Sequence, residues 1–156
     1  MARLEQDGKL TAVITQNIDC LHEMAGSKNV LKLHGTVDSN TCVICGKKYN
    51  MEEFLEICET ENIPHCSKCG GIIKPDVTLY EEVPDPDTFR KAINEISKAD
   101  TLIIGGTSLI VYPAASLIHY FQGKNLVLIN KSKTKQDNFA NLVIHESIGD
   151  VFKKLK

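Results

Sequence analysis

Two groups of residues in this sequence have types and spacings suited to chemistry. The first is a pair of cysteine knuckles, Cys42-Val43-Ile44-Cys45-Gly46 and Cys66-Ser67-Lys68-Cys69-Gly70, separated by twenty residues. A tetrahedral Zn²⁺ needs four ligands converging from different directions, and each C-x-x-C turn supplies two of them. A glycine after the second cysteine can take a positive φ and turn backbone N–H groups towards the sulfurs. The spacing therefore predicts one zinc on Cys42, Cys45, Cys66 and Cys69, closed by four protein ligands and so structural, not catalytic. A redox or iron site is the alternative. The second group is Thr15-Gln16-Asn17-Ile18-Asp19, followed by His34-Gly35. Histidine titrates near neutrality, at about 6.5 unperturbed, and is a candidate base. Amides and carboxylates are costly in a core unless paired, but suit the carboxyl ends of parallel strands, where open α/β sheets bind ligands. The alternative is that Gln16 and Asn17 merely cap a short helix and His34 is a satisfied, partly buried histidine.

These residues must be positioned by the elements around them. Ala12-Val13-Ile14 and Val30-Leu31-Lys32-Leu33 read as strands ending on the polar groups, with a short helix over Asp19–Ala25 stopped by Gly26. Cys20 within it reads as a small buried residue. Between the knuckles, Met51, Phe54, Leu55 and Cys58 predict one apolar helix face, which makes Cys58 core and not a ligand. Residues 40–71 are expected to form a zinc-ribbon module, flanked by 1–39 and 72–156 as one sheet-forming domain. Ile72–Tyr80 is predicted extended, and Asp85-Pro86 opens a helix with Phe89, Ala92, Ile93 and Ile96 inward. Leu102-Ile103-Ile104 reads as a buried strand leading into Gly105-Gly106-Thr107-Ser108 and a helix near residues 113–121. Glycines there allow close approach of a ligand, and hydroxyls can donate to phosphate or ribose. Leu126–Ile129 is a further buried strand ending on Asn130, 24 residues after Gly106. That lies near the offset of about 20 residues at which a polar side chain meets a dinucleotide ribose. Leu142–Ile144 and a helix over 148–155 complete an alternating pattern that predicts an α/β fold with a parallel sheet.

Composition narrows the classes. The chain has 156 residues with 42% hydrophobic and 24% charged content, ordinary for a globular protein. A net charge of −2 and no long basic run argue against nucleic acid as a partner. The first ten residues lack the apolar run of a secretory signal, and six cysteines without one point to thiols and metal in a reducing cytoplasm.

Thr15-Gln16-Asn17-Ile18-Asp19, Leu21-His22, Ala25-Gly26, His34-Gly35, the paired knuckles, Gly106-Thr107-Ser108 and Leu128-Ile129-Asn130 occur in the order seen in sirtuins, which this sequence resembles over nearly its whole length. The resemblance implies a Rossmann-like fold carrying a zinc module, and NAD-dependent removal of acyl groups from protein lysines. The products would be nicotinamide, free lysine and O-acyl-ADP-ribose. It implies His34 as catalytic base and Gln16, Asn17 and Asp19 about the nicotinamide ribose. It also implies Gly106, Thr107 and Ser108 along the cofactor crevice, Asn130, Lys131 and Ser132 near the adenosine ribose, and Ile148 by the adenine. The family's first strand, Gly-Ala-Gly phosphate loop and flexible cofactor segment are not in this sequence, so an incomplete sheet is expected. Self-association or a complementing N-terminal segment is the expected partner besides an acylated protein. Tyr80-Glu81-Glu82 replaces the family's frequent Phe-Gly-Glu beside the acyl-lysine channel. A non-catalytic zinc-stabilised binding module and an ADP-ribosyltransferase stay open as other readings.

Overall fold

The computed structural model describes residues 1–155. A short helix α1 (Ala2–Gln6) leads into β1 (Val13–Thr15), which crosses through α2 (Leu21–Met24) to β2 (Val30–Lys32). β1 and β2 pair in parallel, Val13 opposite Val30 and Thr15 opposite Lys32. The chain then turns into β3 (Gly35–Cys42), β4 (Lys48–Asn50), α3 (Met51–Thr60) and β5 (Ile73–Val77), and the three strands form an antiparallel sheet in the order β4-β3-β5. Helix α4 (Pro86–Lys98) precedes β6 (Thr101–Gly105), β7 (Asn125–Ile129) and β8 (Leu142–Ile144), a parallel sheet in that order, closed by α5 (Ile148–Lys154).

Local chemistry accounts for the helix starts. Asn50 and Glu53 form a capping box: Glu53 N donates to Asn50 Oδ1 at 2.8 Å, and Asn50 N to Glu53 Oε2 at 2.9 Å. Asp85 accepts from Thr88 N at 2.9 Å ahead of Pro86 in the first turn. The predicted face of α4 is the packed one. Ala92 and Ile96 are buried with Leu33, Ala114 and Leu117, and Phe89 and Ile93 pack against them. Burying a side chain the size of Ile96 contributes about 1.5–3 kcal/mol, so α4 holds β2 against the segment that follows β6. A second cluster of Cys42, Tyr49, Cys66 and Ile73 lies under α3.

Four sequence expectations need correction. The inward face of α3 is carried by Phe54 and Ile57, while Leu55 is 53% exposed and Cys58 is exposed. A ten-residue helix on a small sheet buries a narrower stripe than the periodicity offers. The helix near residues 113–121 is a 3₁₀ segment, Ala114–Tyr120, too short of α-type bonds to count as a regular crossover helix. Ile103 is 41% exposed because β6 is an edge strand; β7, flanked on both sides, buries Leu126, Leu128 and Ile129. Extended structure after Ile72 ends at Val77, and Leu79–Glu82 is a turn in which Glu82 N donates to Leu79 O at 3.1 Å. The parallel strands also fall into two sheets: among the described residues β1 pairs only with β2, and β6 only with β7. β3 spans residue 40, and its register against β5 shifts between Gly35 and Asn40.

The tightest point is the corner from β2 into β3. Gly35 has φ +77, and a Cβ there would lie 2.0 Å from the Asp76 carbonyl oxygen. Gly35→Ala is expected to lower unfolding free energy by at least about 2 kcal/mol, since backbone strain of 1–3 kcal/mol adds to the clash. Gly8→Ala, at φ +69 with nothing within 4 Å, supplies the control carrying the conformational cost alone. Equal urea midpoints for the two variants would contradict the crowding at Gly35.

Candidate active site and metal centre

The carboxyl ends of β1 and β6 face one crevice of about 790 Å³. Gln16, Asn17 and Asp19 line one side, Gly105, Gly106, Thr107 and Leu109 the other, and Ile148 at the start of α5 lies along it. Its floor is apolar, formed by Ile14, Leu33, Ile96, Leu102 and Leu117. Thr107 Oγ1 donates to Gln16 Oε1 across the gap at 3.3 Å, a contact between residues 91 apart in sequence. Thr107 also accepts from Leu109 N at 3.2 Å, fixing the turn in which Leu109 takes φ +55. Asp19 Oδ1 accepts from Leu21 N at 3.1 Å just before α2, and its other carboxylate oxygen has no hydrogen-bond partner among the described residues. Gly105 approaches Ile148 so closely that a Cβ would meet Ile148 Cδ1 at 2.1 Å.

His34 stands behind Gln16, outside the crevice lining. Its Nδ1 lies 3.1 Å from the Gln16 carbonyl oxygen, which can only accept, so Nδ1 carries hydrogen and Nε2 is the nitrogen left to take a proton. The His34 carbonyl oxygen accepts from Thr78 N at 2.9 Å. Ser108 is exposed beyond Thr107, and Asn130, Lys131 and Ser132 lie at the end of β7, outside the crevice lining. Asn130 turns its amide onto Ser132 O at 2.9 Å, while its own carbonyl lies 3.0 Å from His145 Nδ1. His145 is braced by Asp137 at 3.3 Å. Cys20, expected as plain core, is only half-buried and accepts from Lys32 Nζ at 3.1 Å.

The four knuckle sulfurs lie within 4.8 Å of one another, with Cys42–Cys69 at 3.5 Å and Cys45–Cys66 at 3.6 Å. Ligands at about 2.3 Å from a tetrahedral zinc would be about 3.8 Å apart, so the donor set fits that ion. Gly46 and Gly70, at φ +69 and +72, close the two turns by donating to the carbonyls of Cys42 and Cys66. Tyr49 was not legible as part of this site. Its hydroxyl donates to Cys66 Sγ at 3.1 Å and pulls that thiol down to about 6. At Cys69 the Gly71 N–H favours ionisation, but the sulfurs of Cys45 and Cys42 outweigh it and push the thiol up to about 12. Four thiols this close cannot all ionise without a cation between them. The usable signal for Tyr49 was its inward position in β4, since a buried phenol needs a partner for its hydroxyl.

A model of the Sir2 family matches residues 1–113. The NAD-dependent protein deacetylase of Clostridium perfringens is 62% identical over 156 residues, and that of Staphylococcus aureus strain NCTC 8325 is 45% identical over 155. Each alignment takes in 99% of this chain, but the chain spans only 63% and 62% of those two relatives. A solved structure described as Sir2 with p53 peptide and NAD⁺ superposes with a TM-score of 0.92 at 40% identity, covering 97% of this chain and 64% of that one. Sir2 bound to acetylated peptide gives 0.93 at 40%, with 97% and 65% covered. No helix among the described residues is long and apolar enough to cross a membrane.

Cys45→Ala is expected to abolish stoichiometric zinc and to melt the β4-β3-β5 sheet first, since metal-binding energy is folding energy in such sites. Full metal content by elemental analysis would contradict the assignment. Zinc affinity should also tighten as pH rises, because binding displaces the Cys69 proton held at about 12. A pH-independent affinity would contradict binding through thiolates.

Proposed function

This chain belongs to the Sir2 family, and we propose from that premise that its activity is NAD-dependent removal of acyl groups from protein lysines, giving nicotinamide, free lysine and O-acyl-ADP-ribose. The observation that carries the reading is the crevice in which Gln16, Asn17 and Asp19 meet Gly106 and Thr107, with His34 held against Gln16. Bound in this crevice, NAD would supply an electrophilic ribose carbon. The Asp19 carboxylate with the Gln16 and Asn17 amide oxygens would offer that sugar carbon fixed negative charge and dipoles. His34 Nε2 accepts the ribose hydroxyl proton, its tautomer set by the Gln16 carbonyl. Gly106 and Thr107, with Ser108, lie along the dinucleotide, Asn130, Lys131 and Ser132 serve the adenosine ribose, and Ile148 covers the adenine. Residues 40–71 act as the zinc module and hold the β3–β5 side of the acyl-lysine channel; 1–39 and 72–156 form the cofactor domain. A thiolate-bound zinc and six cysteines free of disulfides suit a reducing cytoplasm.

A second reading is favoured by one observation: the edges of β1 and β6 that border the crevice pair with no strand among the described residues. An unpaired edge is a template for another strand. The partner is then a complementing N-terminal segment, or failing that a second copy, and the chain by itself is a non-catalytic zinc-stabilised module with weak affinity for NAD.

A coupled nicotinamide-release assay on acetyl-lysine peptide tests both readings. The chain alone is expected to turn over poorly, and the chain fused to the N-terminal region of the C. perfringens relative to turn over well. His34→Ala in the fusion should cost about 10²–10⁴-fold in kcat. Undiminished turnover in that variant would overturn the role of His34, and full activity of the chain alone would overturn the need for a further strand.

A further inference from the structure

Tyr49 lies in a position that the proposed chemistry does not use. It is 5% exposed, on β4, directly across the antiparallel pair from Asn40. Its hydroxyl oxygen sits 3.1 Å from Cys66 Sγ, accepts from Ser67 N at 3.1 Å and lies 3.3 Å from Ser67 Oγ. Ser67 Oγ in turn accepts from Lys47 Nζ at 2.9 Å, and the same ammonium stands 4.6 Å above the Tyr49 ring.

A phenol has one proton and acceptor lone pairs. The Ser67 N–H takes one lone pair. Ser67 Oγ already accepts from Lys47, and its own hydroxyl proton is free to point at the phenol oxygen. A metal-bound thiolate can only accept. The phenol therefore keeps its proton and donates it to Cys66 Sγ, and among the described residues no other knuckle cysteine receives a side-chain hydroxyl. Cys66 also accepts from Lys68 N at 3.4 Å. Backbone N–H groups also serve Cys42 and Cys69, but Cys66 is the knuckle sulfur that receives a side-chain hydroxyl, one that is buried and held on two sides.

Resting on the reading of the four cysteines as a zinc site, we propose that Tyr49 is a positioning residue of the metal centre: its hydroxyl donates to the Cys66 thiolate, draws charge from that sulfur and retains the ion. A zinc ion with four thiolates carries a net charge of −2, and hydrogen bonds to sulfur are the means by which a closed site disperses it. Lys47 acts through Tyr49 and Ser67, polarising the phenol from above its face and orienting the serine hydroxyl. The ring body does separate work, packing with Ile73 and Phe54, so Phe can replace Tyr without opening a cavity.

The test uses the full chain carrying Tyr49→Phe. Metal analysis of the unaltered chain comes first, and a stoichiometry of zero there would remove the zinc reading itself, separately from the role of Tyr49. With one zinc bound, Tyr49→Phe is expected to keep that stoichiometry while affinity for zinc in chelator competition falls about 10–100-fold. In the Co²⁺-substituted variant the sulfur-to-cobalt charge-transfer bands are expected to move to lower energy, because the thiolate becomes more electron-rich. Unchanged affinity, or weakened affinity with superimposable bands, would overturn the proposal, the latter leaving only a packing role. Should Tyr49→Phe fail to fold, a ring-fluorinated tyrosine placed at 49 keeps the shape and strengthens the donor. The bands should then move to higher energy, and no movement would overturn the proposal equally.

Discussion

The corner at His34-Gly35 is the constraint on which the arrangement depends. Three separate parts of the chain meet there: the Gln16 carbonyl accepts from the imidazole, Thr78 N donates to the His34 carbonyl, and the Asp76 carbonyl occupies the space a side chain at 35 would need. The parallel pair β1-β2 and the antiparallel sheet are thereby locked at a fixed angle around one histidine. Neither sheet could supply this alone. A strand of three residues has few ladder bonds, and its position is set by what it packs against. Here that is the α4 face carrying Ala92 and Ile96.

The knuckles serve the same corner from the far end. β3 leaves Gly35 and arrives at Cys42, while β5 starts beside Cys42 at Ile73 and returns to Val77 opposite Gly35. A cation binding the four sulfurs would therefore clamp the distal end of the two strands whose proximal end holds His34. If His34 is the base proposed above, a metal at the knuckles would set its position without touching it. Ser39 and Asp76 tie the middle of the same pair, hydroxyl to carboxylate at 2.5 Å, and that bond helps hold the Asp76 carboxyl below its usual range even though burial pushes the other way.

Much of this was legible from residue order. The double C-x-x-C spacing led to four sulfurs that lie together, and strand-ending polar residues led to a crevice bordered by Gln16, Asn17, Asp19, Gly106 and Thr107. The α4 face was legible because four apolar residues fall at helical spacing with no competing pattern. What the sequence did not carry were facts of neighbourhood. Periodicity cannot say how wide a stripe α3 will bury, so Leu55 and Cys58 looked inward. An apolar triplet such as Leu102-Ile103-Ile104 reads the same at the edge of a sheet as at its centre, and only the strand order exposes Ile103. The hydroxyl of Tyr49 and the ammonium of Lys32 find sulfur partners across 17 and 12 residues, contacts that no local pattern encodes.

The central claim is that the carboxyl ends of β1 and β6, in separate sheets, form a single nicotinamide-ribose crevice with His34 at its back. Chemical-shift mapping of the ¹⁵N-labelled chain in millimolar NAD tests it most directly. The account predicts the largest perturbations at Gln16, Asn17, Asp19, the Gly105–Ser108 turn and the His34 ring, with further ones at Asn130, Lys131, Ser132 and Ile148 on the adenosine side. Perturbations at saturating NAD that leave both Gln16 and Thr107 unmoved would contradict it.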